Sequence, residues 1–128
     1  MSAQLVLSFV AAAERLDMAA MLKCLHPDCE FRNQPLPGWT VARGLPAVSR
    51  QLRALLWLVR DFKVLSIRKV KQVDGVLSFV RSERLNVLGR IVELEISAEF
   101  RFRDGRIVYW QDDFSLGELR SVLFKRCR

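Results

Sequence analysis

The chain has 128 residues, and its 21 lysines and arginines outnumber its 14 acidic residues, for a net charge of +7. This length fits one domain with one sizeable core, so we expect residues 1–128 to form a single domain. Apolar residues make up 51% of the chain, which excludes wholesale disorder. No apolar run approaches the roughly 18 residues that a membrane-spanning helix needs, so we expect no membrane partner.

The cysteines and the amino terminus favour a cytoplasmic location. An odd number of cysteines without a regular framework, Cys24, Cys29 and Cys127, indicates free thiols in a reducing compartment. The first residues lack the basic region that opens a signal peptide. Only His26 could join the cysteines around a metal ion, and the spacings fit no familiar zinc site. We therefore expect no metal site.

The first half of the chain has a helical pattern with one strand. Apolar residues recur at helical spacing over residues 4–16, and Asp17 is suited to cap the start of a second, short helix. Residues 28–34 are predicted to form a short strand. The prolines and glycines of residues 35–44 indicate a loop. A third helix is predicted over residues 46–58, with a proline at its first position.

The second half of the chain is typical of a meandering sheet. Hairpin signals separate four strands, which we predict over Lys63–Val73, Val76–Val87, Arg90–Arg103 and Arg106–Phe114. A short terminal helix is predicted over residues 116–123. The order of elements indicates an α+β fold, in which about three helices pack on a cone-shaped, strongly curved mixed or antiparallel sheet. Such a cone has an apolar mouth, which suits a small molecule.

The alternation of side chains predicts which strand faces are buried. In Arg90–Arg103 the even-numbered residues are apolar and should face inward. In the last strand the bulky Trp110 shares a face with Asp112, so the carboxylate should also be buried. The buried face of Val76–Val87 is ambiguous. Alternation slightly favours burial of its odd-numbered residues, whereas burial of the even-numbered residues would place Arg84 and Asn86 inside.

Three segments together resemble a known family: Phe31–Pro37, Glu83–Leu88 and Asp104–Phe114. They are similar to limonene-1,2-epoxide hydrolases, within the wider group of NTF2-like, SnoaL-like and ketosteroid-isomerase-like cones. The similarity runs over about residues 4–123. The family's site contains a carboxylate that activates water, a second that protonates the epoxide oxygen, and an arginine that holds both.

The resemblance assigns roles to individual residues. It implies that Asp112 is the base, that Asn33 holds the attacking water, and that Arg84 faces inward and bridges the two acid positions. Phe31 stands where the family has a tyrosine. The positions that match the lining of the family's pocket are Leu55, Leu56, Val59, Leu88, Leu94, Ile96 and Phe114.

A second departure from the family's pattern concerns the proton donor. Asn86 stands at the position where the resemblance expects an acid. An amide donates a hydrogen bond but cannot protonate an epoxide. The predicted function is therefore a cofactor-independent enzyme, similar to limonene-epoxide hydrolases, that acts on an apolar small molecule with an altered general acid. Two alternatives stay open: a SnoaL-like or ketosteroid-isomerase-like isomerase or cyclase, and a noncatalytic module that binds a small molecule or a protein.

The positive charge does not by itself indicate a nucleic-acid partner. The sequence has no aromatic RNA-binding motif and no recognition helix. Clusters of basic residues along the chain are typical of a solvated surface. We therefore expect no nucleic-acid ligand.

The chain is predicted to form a homodimer, as related cones do. Leu85, Val87, Ile91 and Tyr109 are predicted on the outer face of the sheet, where they would expose more apolar area than a free face usually has. Light scattering at micromolar concentration should give twice the 14.8-kDa mass of the chain. A mass equal to that of one chain would contradict this prediction.

Overall fold

The structure is a computed structural model that describes residues 2–34 and 36–114. Its helices are α1 (Ser2–Glu14), α2 (Met18–Lys23) and α3 (Leu45–Leu58). Its strands are β1 (Leu25–Gln34), β2 (Ala42–Arg43), β3 (Val59–Val73), β4 (Val76–Val87), β5 (Arg90–Arg103) and β6 (Arg106–Asp113). The predicted terminal helix lies outside the described residues. None of the helices in the described part of the chain is long and apolar enough to cross a bilayer.

The strands form one mixed sheet in the order β2-β1-β6-β5-β4-β3. Strands β3 to β6 are joined by short turns and pair antiparallel, whereas β1 lies parallel to β6. This parallel pairing places Asn33 directly beside Asp112. The sheet thus brings an early segment of the chain next to the last strand, and the predicted α+β cone is confirmed.

The predicted elements are largely present. Asp17 caps α2 as expected, since its side chain accepts a hydrogen bond from the Ala20 amide at 3.1 Å. Strands β1 and β3 begin earlier than predicted, at Leu25 and Val59. The loop between β1 and α3 also contains a 3₁₀ turn (Gly38–Thr40) and the two-residue β2, neither of which the sequence pattern indicated.

The helices cover the concave face of the sheet and close an aromatic core. The rings of Phe9, Phe31, Phe79, Phe100 and Trp110 are all buried and contact one another. The shortest of these contacts stacks Phe31 on Trp110, with ring centres 3.8 Å apart. Since one ring comes from α1 and the others from four strands, the cluster ties the first helix to the sheet.

The buried faces of β5 and β6 follow the predicted alternation of side chains, except at one bulge. In β5 the even-numbered Val92, Ile96 and Phe100 are buried, as predicted. In β6 a register shift opposite Arg101 and Phe102 turns Ile107 inward together with Trp110.

The apolar outer face predicted for the last strands is smaller than expected. Leu85 lines the internal cavity, so its predicted outward orientation is wrong. Val87, Ile91 and Tyr109 are half-buried. The homodimer stays a prediction that now depends on fewer apolar side chains.

The aromatic core predicts a large effect of one substitution. Phe100 is 1% exposed and contacts Phe9, Phe79 and Trp110. Phe100→Ala should lower the free energy of unfolding by about 3–5 kcal/mol, because it leaves a cavity in a packed cluster. Urea denaturation measures the change, with Phe102→Ala on the same strand as the half-buried control. An equal loss in both variants would contradict this account of the core.

Candidate functional site

A cavity of about 280 Å³ lies between the helices and the concave face of the sheet. Its walls are mainly aliphatic and aromatic side chains from α1, α3 and the strands. The cavity-lining residues of the described chain include four side chains with strong hydrogen-bonding groups: Asn33, Arg81, Glu83 and Asp112. An apolar chamber with a few convergent polar groups is the usual form of a small-molecule site.

One arginine joins two carboxylates inside this cavity. Arg81 donates from Nη1 and Nη2 to the two oxygens of Asp112, at 2.9 and 2.8 Å. Its Nε donates to Oε2 of Glu83 at 2.9 Å. All three residues are buried, with no more than 6% of their surface exposed. The arrangement uses the planar donor geometry of a guanidinium, which a lysine lacks.

The sheet places these three groups by alternation and by register. Arg81 and Glu83 are two residues apart on β4 and therefore share its inner face. Asp112 lies two strands away on β6, beyond β5. Ala98 of β5 pairs with Asp112 and has a small side chain. The long arginine side chain spans β5 to reach the carboxylate.

Asp112 accepts a further hydrogen bond from Trp110. The indole Nε1 donates to Oδ1 at 2.9 Å, in addition to the two bonds from Arg81. The Trp110 ring is itself fixed by its stack on Phe31. Three N–H groups therefore fix the orientation of this carboxylate.

The electrostatics of Arg81 and Glu83 follow from burial and charge. Burial alone lowers the pKa of Arg81, but the charges of Asp112 and Glu83 outweigh it and raise the pKa above its ordinary value. Burial raises the pKa of Glu83; Arg81 opposes this shift, and Asp112 adds to it. The net direction for Glu83 is upward, which favours its protonated form.

Most of the predicted lining residues are in the cavity wall. They are Phe31, Asn33, Leu55, Leu56, Val59, Leu94, Ile96, Asp112 and Phe114. Asn33 lies beside Asp112 through the parallel pairing of β1 and β6. The buried position predicted for Asp112 is thus confirmed.

Three predicted site residues are outside the cavity. Arg84 lies on the exposed face of β4, 3.7 Å from Glu93, so the inward orientation implied by the resemblance is wrong. Asn86 shares that face, and its Oδ1 accepts a hydrogen bond from the Gly89 amide at 2.9 Å in the β4–β5 turn. Leu88 is exposed in the same turn. Alternation sends these side chains outward once Leu77 and Phe79 of β4 enter the core.

Arg81 and Glu83 are the residues that motif matching missed. They belong to the set of β4 residues that alternation slightly favoured for burial, and they form an Arg-x-Glu pair on that face. The signal was therefore in the sequence, two charged residues in phase with Leu77 and Phe79. The resemblance instead assigned the site to Arg84 and Asn86, which lie three residues further along β4 and therefore on its opposite face.

Comparisons with known proteins agree with this architecture. An LEH-like epoxide hydrolase from M. tuberculosis is 22% identical, with a TM-score of 0.79 over 94% of this chain and 87% of that one. A putative polyketide cyclase from Pseudomonas putida is 18% identical, with a TM-score of 0.79 over 92% and 95% of the two chains. An NTF2-like protein of unknown function from Burkholderia pseudomallei is 20% identical, with a TM-score of 0.80 over 95% and 96%.

These three structures share the fold of this chain at low identity. The family model described as a SnoaL-like domain matches residues 6–110, which is most of the chain. The wider group expected from the sequence resemblance is therefore confirmed: the chain belongs to the SnoaL-like family.

Proposed function

We propose that this protein adds water to the epoxide of an apolar small molecule. The observation that carries the proposal is the pair of carboxylates held by one buried arginine inside an apolar cavity. The resemblance to limonene-epoxide hydrolases implies this same division between a base and an acid. In this chain Glu83, rather than Asn86, supplies the second carboxyl group.

Asp112 acts as the base in this proposal. It is the carboxylate with three hydrogen-bond donors, and its Oδ2, which accepts from Arg81, has a second lone pair for a water proton. Asn33, beside it on β1, orients the attacking water through its amide. Because Phe31 has no hydroxyl group, the water has one contact fewer than in the family's pattern.

Glu83 acts as the acid. Burial raises its pKa above the ordinary value of a glutamate, which is the direction that suits a proton donor. As the water oxygen bonds to an epoxide carbon, the carbon–oxygen bond of the ring breaks and Glu83 gives its proton to the leaving oxygen. Asp112 takes a proton from the water. The product is a vicinal diol, and proton exchange with solvent restores both carboxyl groups.

A second candidate is an isomerase or cyclase, which the same raised pKa of Glu83 supports. A neutral carboxylic acid can donate a hydrogen bond to a carbonyl oxygen while Asp112 removes a proton from the adjacent carbon. The putative polyketide cyclase among the similar structures has the same fold. Diol formation separates the candidates, because isomerisation incorporates no water.

The proposal predicts the effect of removing each carboxylate. Asp112→Asn and Glu83→Gln should each lower kcat for hydrolysis of apolar epoxides by about 10²–10⁴-fold, since each removes one proton-transfer group. Gas chromatography of the diol formed in ¹⁸O-labelled water measures the rate. Asp113→Asn and Glu93→Gln are matched controls on exposed residues and should keep the parent's rate.

Two outcomes would contradict the proposed hydrolase activity. The first is that the parent forms no diol from a panel of cyclic and acyclic epoxides. The second is that Asp112→Asn remains fully active while folded. In either case the isomerase or binding alternative gains support.

The raised pKa of Glu83 also predicts a dependence of stability on pH. A carboxyl group with a raised folded-state pKa stabilises the fold most below its unfolded-state value, near 4.5, and that contribution is lost as pH rises through the folded-state pKa. The stability of the parent relative to Glu83→Gln should therefore decrease as pH rises above about 4.5. Urea denaturation over a pH series tests this, with Glu93→Gln as the control. Parallel stability curves for the parent and Glu83→Gln would contradict it.

A further inference from the structure

The exposed side of α3 carries a stripe of cationic and aromatic side chains. Arg50, Arg53 and Trp57 are spaced three and four residues apart, so they lie on one side of the helix. Val48 and Leu52, on the other side, are buried in the core. Trp57 is 77% exposed. Two arginines and a tryptophan thus face solvent together.

These arginines have no acidic counterpart nearby in sequence. From Leu36 to Leu58 the chain has three arginines and no aspartate or glutamate. Arg43 lies 3.4 Å from Glu30, but neither Arg50 nor Arg53 forms an ion pair with any of the residues that the structure describes. The positive charge of α3 is therefore available to an external anion.

The β4–β5 turn adds an apolar side chain in a costly conformation. Leu88 has a φ of 52° and is 61% exposed. The two neighbouring hairpins place Asp74 and Asp104 at the corresponding position before glycine, where a short polar side chain tolerates positive φ. A leucine there costs backbone strain and gains little packing within the described fold. Such an outlier points to a function outside the fold.

Leu88 and Trp57 lie at the same end of the molecule. Val87, the residue before Leu88, pairs with Val59, which directly follows α3. Leu55, two residues before Trp57, lines the cavity and therefore lies on the other side of α3 from the exposed stripe.

We propose that the α3–turn surface, defined by Arg50, Arg53, Trp57 and Leu88, binds the surface of an anionic lipid bilayer. Tryptophan and leucine enter the boundary between headgroups and acyl chains, and arginines pair with lipid phosphates. A soluble polyanion would use the arginines but would leave Leu88 in water. Binding at a surface differs from crossing a membrane, and it revises the expectation that no membrane partner exists.

Vesicle flotation tests the surface with the full chain. The parent should float with vesicles of phosphatidylglycerol and phosphatidylcholine, and not with phosphatidylcholine alone. The double variant Arg50→Gln/Arg53→Gln should weaken binding about 30-fold, since each cation near an anionic surface contributes to affinity. Lys69→Gln/Lys71→Gln removes the same charge from the other end of β3 and should bind like the parent.

A second variant separates membrane contact from a structural role. Leu88→Asn places a residue suited to positive φ in the turn, so the melting temperature should stay equal or rise. Vesicle binding should nevertheless fall about 10-fold, because an apolar contact is removed. If the leucine had only a structural role in the turn, Leu88→Asn would leave vesicle binding unchanged, and that result overturns its part in the proposal.

Three results would overturn the whole surface: no binding to anionic vesicles, an equal loss in the lysine control, or arginine-dependent binding to duplex DNA without vesicle binding. The last would indicate a soluble polyanion as the partner. Hydrolysis of a water-soluble epoxide should be unchanged in all these variants. If the parent forms no diol but still binds vesicles, the proposed hydrolase activity is wrong and the proposed membrane-binding surface is supported.

Discussion

The constraint on which the structure depends is the buried guanidinium of Arg81 between two carboxylates. An isolated charge in this position would cost several kcal/mol, so each partner is needed for the others to stay buried. Arg81 donates to both carboxylates, so each charged group of the set has a hydrogen-bonded partner. The cavity can therefore remain apolar around one polar centre.

This centre forms only when distant parts of the chain have paired. Arg81 and Glu83 come from β4, Asp112 from β6 and Asn33 from β1. The pairing of β1 with β6 is parallel, and α3 with four further strands separates them in sequence. The site is therefore a property of the completed sheet rather than of any local motif. A register slip of one residue in β4 would exchange Arg81 for its neighbour and expose the guanidinium.

The sequence was sufficient for the fold class, which follows from the order and periodicity of the elements, and for most of the cavity wall, which the resemblance implied. Leu55 and Leu56 on α3, and Leu94 and Ile96 on β5, were identified by spacing or resemblance and line the cavity. The prediction of the inward-facing residues was wrong in β4, where two similar sequence patterns lie three residues apart.

The two patterns in β4 are Arg-x-Glu and Arg-x-Asn, and an odd displacement places them on opposite faces of the strand. Burial of Leu77 and Phe79 decides between them, and local alternation gave the better prediction. The strand β2 and the bulge opposite Phe102 depend on tertiary pairing, which no local signal in those residues indicated.

Phe31, which stands where the resemblance to limonene-epoxide hydrolases expects a tyrosine, has a packing role in the core. Its ring stacks on Trp110 at 3.8 Å, and Trp110 donates to Asp112. A phenyl ring can pack there without a polar group that would need its own partner in the core. The stack therefore fixes the indole that donates to Asp112. In the proposed reaction, orientation of the base is retained through packing, while orientation of the water depends on Asn33.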